Sequence, residues 1–202
     1  IIICSIKMID IIIVNWNSGN YLKLCIDSIL IEQNESIVNK VIIVDNNSSD
    51  TSLTDVLQHN KIEIIQNAEN AGFAKACNQG YQLSTAEYVL FLNPDTQLYK
   101  STLTDCLRYM SSHNEVDVLG YQLLNDEGKI THSCARFPTP LTIFNDASGL
   151  SKIAPKVFKP ATLMTDWDHK ESRYVDQIIG AFMFMRKDTF KKTGLFDERF
   201  FV

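Results

Sequence analysis

Short apolar segments alternate with amphipathic segments along the first half of this chain, and this alternation constrains the fold more than any other feature. Four compact apolar runs, at Ile11–Val14, Val41–Val44, Ile62–Ile65 and Tyr88–Leu92, indicate buried strands. In the segment NYLKLCIDSIL the apolar residues recur at intervals of three and four, which is typical of a helix. Strands and helices that alternate in this way predict a mostly parallel α/β sheet with helices on both faces.

Further elements are expected along the rest of the chain. Helices are predicted over residues 20–30, from Ser49 or Asp50 to about His59, within NAGFAKACNQGYQL, and over Ser101–Met110. Beyond residue 119 the regular alternation fades. There the sequence predicts a hairpin that turns at residues 126–128, a late strand in VDQIIGAFMFMR, and a short helix over Lys187–Thr193. We therefore predict a single α/β domain with an irregular C-terminal portion.

Composition excludes several classes of protein. The 202 residues are 45% hydrophobic and carry a net charge of −5, which does not fit a nucleic-acid-binding surface. The five cysteines and four histidines are scattered without a CxxC pair, so a structural zinc site is not expected. This cysteine usage fits a reducing, cytoplasmic compartment.

The apolar N-terminus does not predict a membrane span. Lys7 and Asp10 interrupt the run IIICSIKMIDIIIVNW, and neither a basic leader nor a small-residue cleavage site is present. Met8 is a plausible natural start, which would make residues 1–7 an extension of uncertain meaning. We expect a chain without a signal peptide or a spanning helix.

Polar residues follow each predicted strand, in VNWNSG, VDNNSSD, QNAENAG and LNPDTQ. Turn formation alone explains any one of these segments. However, ligands of open parallel sheets bind beyond the carboxyl ends of the strands, and two of these ends carry an aspartate, Asp45 and Asp95. Motifs of the forms GxGxxG, GxxxxGK[ST] and GxSxG are absent. The remaining amides and carboxylates suit the base and ribose of a nucleotide, together with a hard cation.

Four blocks of the sequence resemble glycosyltransferase family 2, and in particular its rhamnosyltransferase-like enzymes. These blocks are IIIVNWNSGNYLKLCIDSIL, VIIVDNNSSDTS, NAENAGFAKACNQGYQLSTAEYVLFLNPDTQL and DQIIGAFMFMRKDTFKKTGLFDERFF. The resemblance runs over nearly the whole chain from Met8. It implies a GT-A fold over residues 1–202, with a nucleotide-binding half over residues 1–115 and an acceptor-side part over residues 116–202.

The resemblance also implies roles for individual residues. Residues implied to bind the nucleotide are Val14, Asn15, Asn17, Asp45, Asn70, Gly72, Phe73, Asn78 and Asn93. Asp95 matches the last carboxylate of the family's DxD motif, which holds Mg²⁺ or Mn²⁺ against the diphosphate. Asn93 stands where many relatives carry the first aspartate of that motif. Because an amide adds no charge, we expect modest metal affinity.

On the sugar side, the resemblance places the backbone of Gly180 and Ala181 beside the transferred sugar. The segments FPTPL (137–141) and TDWDHK (165–170) mix aromatic and polar groups, so Trp167 is a candidate for stacking on an acceptor sugar. Both segments could equally be packing loops.

Inverting transfer needs a general base to take the proton of the acceptor hydroxyl. By the resemblance, this carboxylate lies a few residues after GLFDERFF, beyond Val202. Glu198 is a weaker candidate, because it matches the turn that precedes the base in the family. A chain without the base is expected to bind the nucleotide and to transfer sugar hardly at all.

The expected activity is inverting transfer from a dTDP- or UDP-sugar, with dTDP-rhamnose among the candidates. The expected acceptor is a surface polysaccharide or a lipid-linked saccharide, used in the cytoplasm or at the inner face of the membrane. No nucleic-acid partner is expected. Two alternatives stay open: a non-catalytic nucleotide-sugar-binding module of the same fold and, less favoured, a nucleotidyltransferase that makes the activated sugar.

Overall fold

The structure, a computed structural model, describes residues 8–54, 56 and 59–201. Its strands are β1 (Ile9–Asn15), β2 (Val38–Asp45), β3 (Ile62–Gln66), β4 (Tyr88–Leu92), β5 (Val118–Leu119), β6 (Cys134–Ala135), β7 (Gln177–Ile178) and β8 (Phe182–Arg186). Its α-helices are α1 (Asn20–Ile29), α2 (Phe73–Leu83), α3 (Thr102–Ser112), α4 (Pro140–Ala147), α5 (Leu150–Ile153) and α6 (Thr189–Thr193). A short 3₁₀ helix spans Glu32–Asn34.

The central sheet has six strands in the order β3-β2-β1-β4-β8-β5. The first four of these strands in space are parallel, whereas β8 runs antiparallel to both β4 and β5. The register sets Asn15, the last residue of β1, beside Asp45, the last residue of β2. The predicted mostly parallel α/β sheet is confirmed.

One face of the sheet packs against α2 and α6. Gly80 on α2 makes this packing close, because a Cβ atom there would lie only 2.5 Å from Cγ2 of Ile12. The cluster of buried residues on this face is Ile12, Ile42, Val44, Ala76, Cys77, Val89, Phe91, Met185 and Phe190. Alternate strand residues such as Ile11, Ile13 and Leu90 are also fully buried. The sheet therefore lies between two apolar layers.

The carboxylate of Asp10 is hydrogen-bonded at the end of the sheet where its parallel strands begin, opposite their polar carboxyl ends. Its Oδ2 accepts hydrogen bonds from the hydroxyl of Ser84 at 2.9 Å and from the backbone N–H groups of Thr85 at 2.5 Å and Ala86 at 2.8 Å. Its Oδ1 accepts a bond of 2.7 Å from Asn39 Nδ2. The charge that interrupts the N-terminal apolar run is thus buried and satisfied at the turn that leads into β4.

The predicted helix after Ser49 is wrong for the residues that the structure describes there. Thr51–Thr54 form turns, and residues 55, 57 and 58 lie outside the described residues. The physical reason is that Ser52 bonds within the loop instead of continuing a helix: its N–H and hydroxyl both donate to Asp50 Oδ1, at 3.1 and 2.6 Å. Residues 1–7, including Cys4 and the proposed extension, also lie outside the described part.

The hairpin predicted around residues 126–128 is present. Asn125 N–H donates to the Lys129 carbonyl at 2.9 Å, Gly128 N–H donates to the Asn125 carbonyl at 2.8 Å, and Gly128 has φ of 73°. Within the described residues, none of the helices has both the length and the apolar character that crossing a bilayer requires.

The chain divides into two compact units. The first comprises residues up to Leu119 together with those from Gly180 onward, and it contains the six-stranded sheet. The second unit, Gly120–Ile179, contains α4, α5 and the two-stranded β6–β7 sheet. In this unit an ion pair joins Arg136 to Asp166: Nη2 of the arginine donates to both carboxylate oxygens, at 2.9 and 3.1 Å, and both side chains are largely buried. The prediction of a single catalytic domain stays a prediction.

Candidate functional site

Asn15 joins the ends of β1 and β2 at the carboxyl edge of the sheet. Its fully buried side-chain amide donates to Asp45 Oδ1 at 2.7 Å, and also lies 3.1 Å from the Ser48 hydroxyl and 2.9 Å from the Ser52 hydroxyl. Its Oδ1 accepts a hydrogen bond from the hydroxyl of Ser18. A single amide therefore ties the loop after β1 to the loop after β2.

Asp45 organises the loop that follows its own strand. Its Oδ1 accepts from the Ser48 hydroxyl at 2.6 Å, and its Oδ2 accepts from the Ser48 N–H at 3.1 Å. The residue is 3% exposed. This is the Asx-type turn that short polar side chains form with backbone two or three residues ahead. The carboxylate predicted to read the nucleoside thus also shapes the loop around it.

Two further loop residues make a more exposed polar rim. Asn17 has φ of 53°, and its Oδ1 accepts from Ser49 N–H at 2.8 Å. Asp50 Oδ2 accepts from Gly19 N–H at 2.7 Å. The hydrogen bond from the Ser52 hydroxyl is the main cause that lowers the pKa of Asp50 below its usual range. Both side chains are exposed and lie where a ligand can reach them.

The loop after β3 is held by a set of amides. Asn67 Nδ2 donates to Asn46 Oδ1 at 2.8 Å and to Gln79 Oε1 at 2.9 Å, and Asn46 Nδ2 donates to the Gly72 carbonyl at 3.3 Å. Asn70 Oδ1 accepts from Gly72 N–H at 3.0 Å. These bonds connect two of the predicted nucleotide-binding residues, Asn70 and Gly72, to the end of β2.

The end of β4 meets the start of β8. Asn93 N–H donates to the Ala181 carbonyl at 3.0 Å, and the Asn93 carbonyl lies 3.7 Å from Sγ of Cys25 on α1. A Cβ atom built on Gly180 would find no atom within 4 Å. The structure thus brings together Asn93, Gly180 and Ala181, three residues that the sequence predicted separately, beside open space.

Asp95 lies exposed in the turn after β4. Burial raises the pKa of the Cys25 thiol to about 12, and the negative charge of Asp95 adds to this effect. Among the residues described, no group of three or more histidines, cysteines, aspartates and glutamates is placed to hold a metal ion. One accessible carboxylate does fit a hard divalent cation whose other ligands are waters and substrate phosphates, which is the usual arrangement for Mg²⁺. The donor set fits a cation that arrives with a diphosphate.

Asn78 on α2 contacts the C-terminal segment. Its Nδ2 lies 2.9 Å from both the Phe196 carbonyl and Glu198 Oε1, and its Oδ1 accepts from Phe196 N–H at 3.0 Å. The side chain is 2% exposed, so these bonds satisfy the whole amide. Glu198, the weaker candidate for the general base, is therefore held at a fixed place. Its neighbour Asp197 pairs with Arg199, which lowers the pKa of that carboxyl.

Three other predicted residues have packing contacts. Val14 and Phe73 are partly buried and pack against the apolar cluster on the α2 face. Trp167 lies in the second unit, where the ring of His169 stacks on it at 4.2 Å and the guanidinium of Arg173 lies 4.9 Å from its ring centre. Their roles in binding nucleotide or acceptor stay predictions.

Sequence reasoning did not single out Ser48, Ser52, Asn46 and Asn67. The first three lie within or next to VDNNSSD, whose density of short polar residues indicated a turn cluster but not which side chains bond one another. Each of them also has a partner on another segment of the chain, as Ser48 and Ser52 have in Asn15. Asn67 Nδ2, for example, reaches Asn46 Oδ1 from a position 21 residues away.

Comparison with known proteins identifies the family. The family model described as "Glycosyl transferase family 2" matches residues 10–192. The hexosyltransferase Agl10 of low-salt glycan biosynthesis, from Haloferax volcanii, is 28% identical over 199 residues, which are 96% of this chain and 57% of the relative. This chain spans less than two thirds of the length of the curated relatives it matches, from 57% of one of them down to 19% of another.

Two solved structures are similar in fold. One is Staphylococcus aureus TarS 1–349 in complex with UDP-GlcNAc, with a TM-score of 0.59 and 20% identity over 94% of this chain and 48% of the 1–349 chain. The other is the mannosyltransferase PcManGT from Pyrobaculum calidifontis, solved with GDP-Man and Mn²⁺. Its TM-score is 0.59, with 16% identity over 94% of this chain and 47% of that protein. At these identities the likeness concerns the fold, and it confirms the expected GT-A arrangement.

Proposed function

This chain belongs to glycosyltransferase family 2, and from that premise we propose that it transfers a sugar from a nucleotide-diphosphate donor to a saccharide acceptor with inversion. One observation carries the proposal: the ends of β1, β2 and β4 bring Asn15, Asp45 and the turn that carries Asp95 to one edge of a parallel sheet. This is the edge at which open α/β sheets bind their ligands.

The nucleoside binds, in this proposal, at the loops after β1, β2 and β3. Asn17 is exposed there, and the buried Asn15–Asp45 hydrogen bond joins the strand ends from which the first two of these loops leave. Amide and carboxylate oxygens suit the imide of a pyrimidine base and the ribose hydroxyls. Asn70, Gly72, Phe73 and Asn78 form or support the side wall of this pocket.

Asp95 is the residue that would hold Mg²⁺ or Mn²⁺. A cation held there would supply Lewis-acid stabilisation of the diphosphate's negative charge, a contribution of several kcal/mol. Asn93 adds no charge, so the protein alone offers one carboxylate and the diphosphate completes the site. We therefore propose that the cation and the nucleotide bind together, and that the protein binds each of them weakly when the other is absent.

Gly180 and Ala181 are proposed to lie beside the transferred sugar, and Trp167, in the second unit, is proposed separately to stack on an acceptor sugar. Open space beside Gly180 leaves room for a sugar next to the backbone of Ala181. Deprotonation of the acceptor hydroxyl requires a general base, usually a carboxylate, which the family resemblance places beyond Val202. Glu198, held by Asn78, is the candidate within this chain.

The proposed donor is a dTDP- or UDP-hexose, including dTDP-rhamnose, and the proposed acceptor is a growing surface polysaccharide or a lipid-linked saccharide. The name of Agl10, a hexosyltransferase of glycan biosynthesis, and the UDP-GlcNAc bound by TarS support these classes. Because lipid-linked saccharides reside in membranes, we propose that the protein works in the cytoplasm at the inner face of the membrane.

A donor panel tests the proposal. Purified protein is incubated with UDP-, dTDP- and GDP-sugars, Mn²⁺ and a saccharide acceptor, and product and released nucleoside diphosphate are measured. Transfer from one of the UDP- or dTDP-sugars supports the proposal. Binding without transfer or donor hydrolysis, by a chain that includes the residues beyond Val202, would instead indicate a non-catalytic binding module. Release of pyrophosphate would indicate a nucleotidyltransferase.

A further inference from the structure

On helix α4, in the second unit, polar side chains are buried and large apolar side chains are exposed. Its buried side chains are polar, Thr142 at 8% exposure and Asn145 at 5%, whereas Leu141, Ile143 and Phe144 are 69%, 54% and 61% exposed. A helix on the surface of a globular domain normally shows the opposite pattern, with apolar residues inward.

The inward polar side chains of α4, Thr142 and Asn145, and the exposed Asp146 are all hydrogen-bonded. Thr142 and Thr139 form a reciprocal capping box at the start of the helix. Asn145 Nδ2 donates to the Lys159 carbonyl at 3.1 Å. Asp146 accepts from the Ser151 hydroxyl and, at 2.9 Å, from Ala161 N–H. The orientation of α4 is therefore fixed by specific bonds, and these bonds hold the apolar side chains outward.

The same segment carries more exposed apolar residues and a local positive charge. Ile153 and Val157 are 81% and 73% exposed. Over residues 140–161, three lysines (Lys152, Lys156 and Lys159) stand against one aspartate, a net charge of +2 in a chain whose total is −5. All three lysines are exposed, and the single carboxylate is occupied by Ser151 and Ala161.

We propose that residues 140–161, which we name the α4 surface, dock the protein on an anionic lipid bilayer. Outward apolar side chains flanked by lysines match the chemistry of interfacial membrane-binding segments, in which apolar groups enter the headgroup region and cations pair with lipid phosphates. A second copy of the same surface is a poorer occupant, because three lysines would then face three lysines. The proposal gives the proposed membrane location a physical basis, but it does not depend on sugar transfer.

Vesicle co-sedimentation of the whole protein chain tests this proposal. The vesicles are phosphatidylcholine alone or phosphatidylcholine mixed with phosphatidylglycerol. We expect binding to the mixed vesicles, weakening as salt is added because charge attraction is screened. The double change Leu141→Gln and Phe144→Gln should lower the partition coefficient at least about tenfold. Each of Lys152→Gln, Lys156→Gln and Lys159→Gln should lower it roughly fivefold.

Leu24→Gln is the matched control, since Leu24 is a partly exposed apolar residue on a helix of the other unit. It should leave vesicle binding unchanged. The lysine variants change only exposed charges and should fold normally, so they test the proposal even if the double variant does not fold.

Three results would overturn the proposal. The protein shows no preference for anionic vesicles, or the apolar double variant dissociates a dimer and leaves vesicle binding intact, or that variant lowers the melting temperature and changes nothing else. The last result would indicate that the protein's own chain covers this surface. Loss of sugar transfer with vesicle binding retained would contradict the proposed function but not the docking surface.

Discussion

The amide of Asn15 donates a 2.7 Å hydrogen bond to the carboxylate of Asp45, so the last residues of two neighbouring parallel strands are directly joined. Both side chains are buried, and the same carboxylate holds the turn at Ser48. The geometry of the proposed nucleoside pocket therefore depends on this pair.

Asp45→Asn should weaken binding of free nucleoside diphosphate roughly tenfold or more. The substitution removes the charge from the hydrogen bonds that Asp45 accepts, and a hydrogen bond to a charged group is worth about 1.5–3 kcal/mol. The same change should lower the free energy of unfolding by a similar amount. Calorimetric titration and urea unfolding measure the two effects. Asp10→Asn is the matched control, because Asp10 is equally buried and accepts four hydrogen bonds at the opposite edge of the sheet.

The control variant should lose stability and keep its nucleotide affinity when folded. If Asp45→Asn behaves in the same way as Asp10→Asn, with stability reduced and affinity unchanged, then Asp45 has a structural role in the loop and does not contribute to nucleotide binding.

Substitution of three glycines by alanine should give three different results. At Gly72, φ is 83° and a Cβ atom would lie 2.7 Å from the Phe201 carbonyl oxygen, so Gly72→Ala should be strongly destabilising. At Gly19, φ is 55° and the surroundings are open, so the loss should be about 1–2 kcal/mol from backbone strain alone. Gly180→Ala should be nearly neutral. Urea unfolding of the three variants checks the order, and equal losses at Gly72 and Gly19 would show that Phe201 does not pack there.

The buried thiols predict a loss of stability at alkaline pH. Burial raises the pKa of each of Cys25, Cys77 and Cys106 from 9.0 to about 12. A raised folded-state pKa means that the folded form keeps its proton while the unfolded chain loses it, so stability is complete below pH 9.0 and falls as the pH rises toward 12. Unfolding free energies measured on both sides of pH 9.0 check this.

Cys77→Ala should make that decline shallower, although the variant also loses some packing at neutral pH. Cys134, which is only partly buried, should react with a thiol reagent sooner than the three buried thiols in the folded protein. A decline of the same steepness in Cys77→Ala would show that other groups cause it.

The strands were largely predictable because β-branched apolar runs are strong local signals. The bounds of β4 match the predicted Tyr88–Leu92, whereas β1 starts at Ile9, before the predicted Ile11. The difference is due to Asp10, whose charge interrupts the apolar pattern that predicts the strand. Its bonds to Ser84 and Ala86, which allow it to be buried within β1, are not visible in the local sequence. A buried charge in a strand can be assigned only from contacts made elsewhere in the chain.

The candidate site was predictable as an edge of the sheet but not as a set of contacts. The pattern of strand ends pointed to Asp45 and Asp95, yet the bond between Asn78 and Glu198 joins residues 120 positions apart, and no local pattern encodes it. The helix expected after Ser49 was wrong at Thr51–Thr54 for a related reason. Ser and Asp favour both helix caps and loop bonds. Here Ser52 accepts from Asn15 at the end of β1, and Asp50 accepts from Gly19 in the loop after β1.

Asp95 and a divalent cation are proposed to hold the diphosphate at the end of β4. Calorimetric titration of a nucleoside diphosphate, with and without Mn²⁺, tests this claim in the unchanged protein and in Asp95→Asn. The matched control is Asp126→Asn, since Asp126 is also an exposed turn residue and lies in the second unit. We expect Mn²⁺ to strengthen binding in the unchanged protein and in Asp126→Asn, and to have no effect in Asp95→Asn, with the urea midpoint the same in all three. Equal enhancement by Mn²⁺ in Asp95→Asn would contradict the claim.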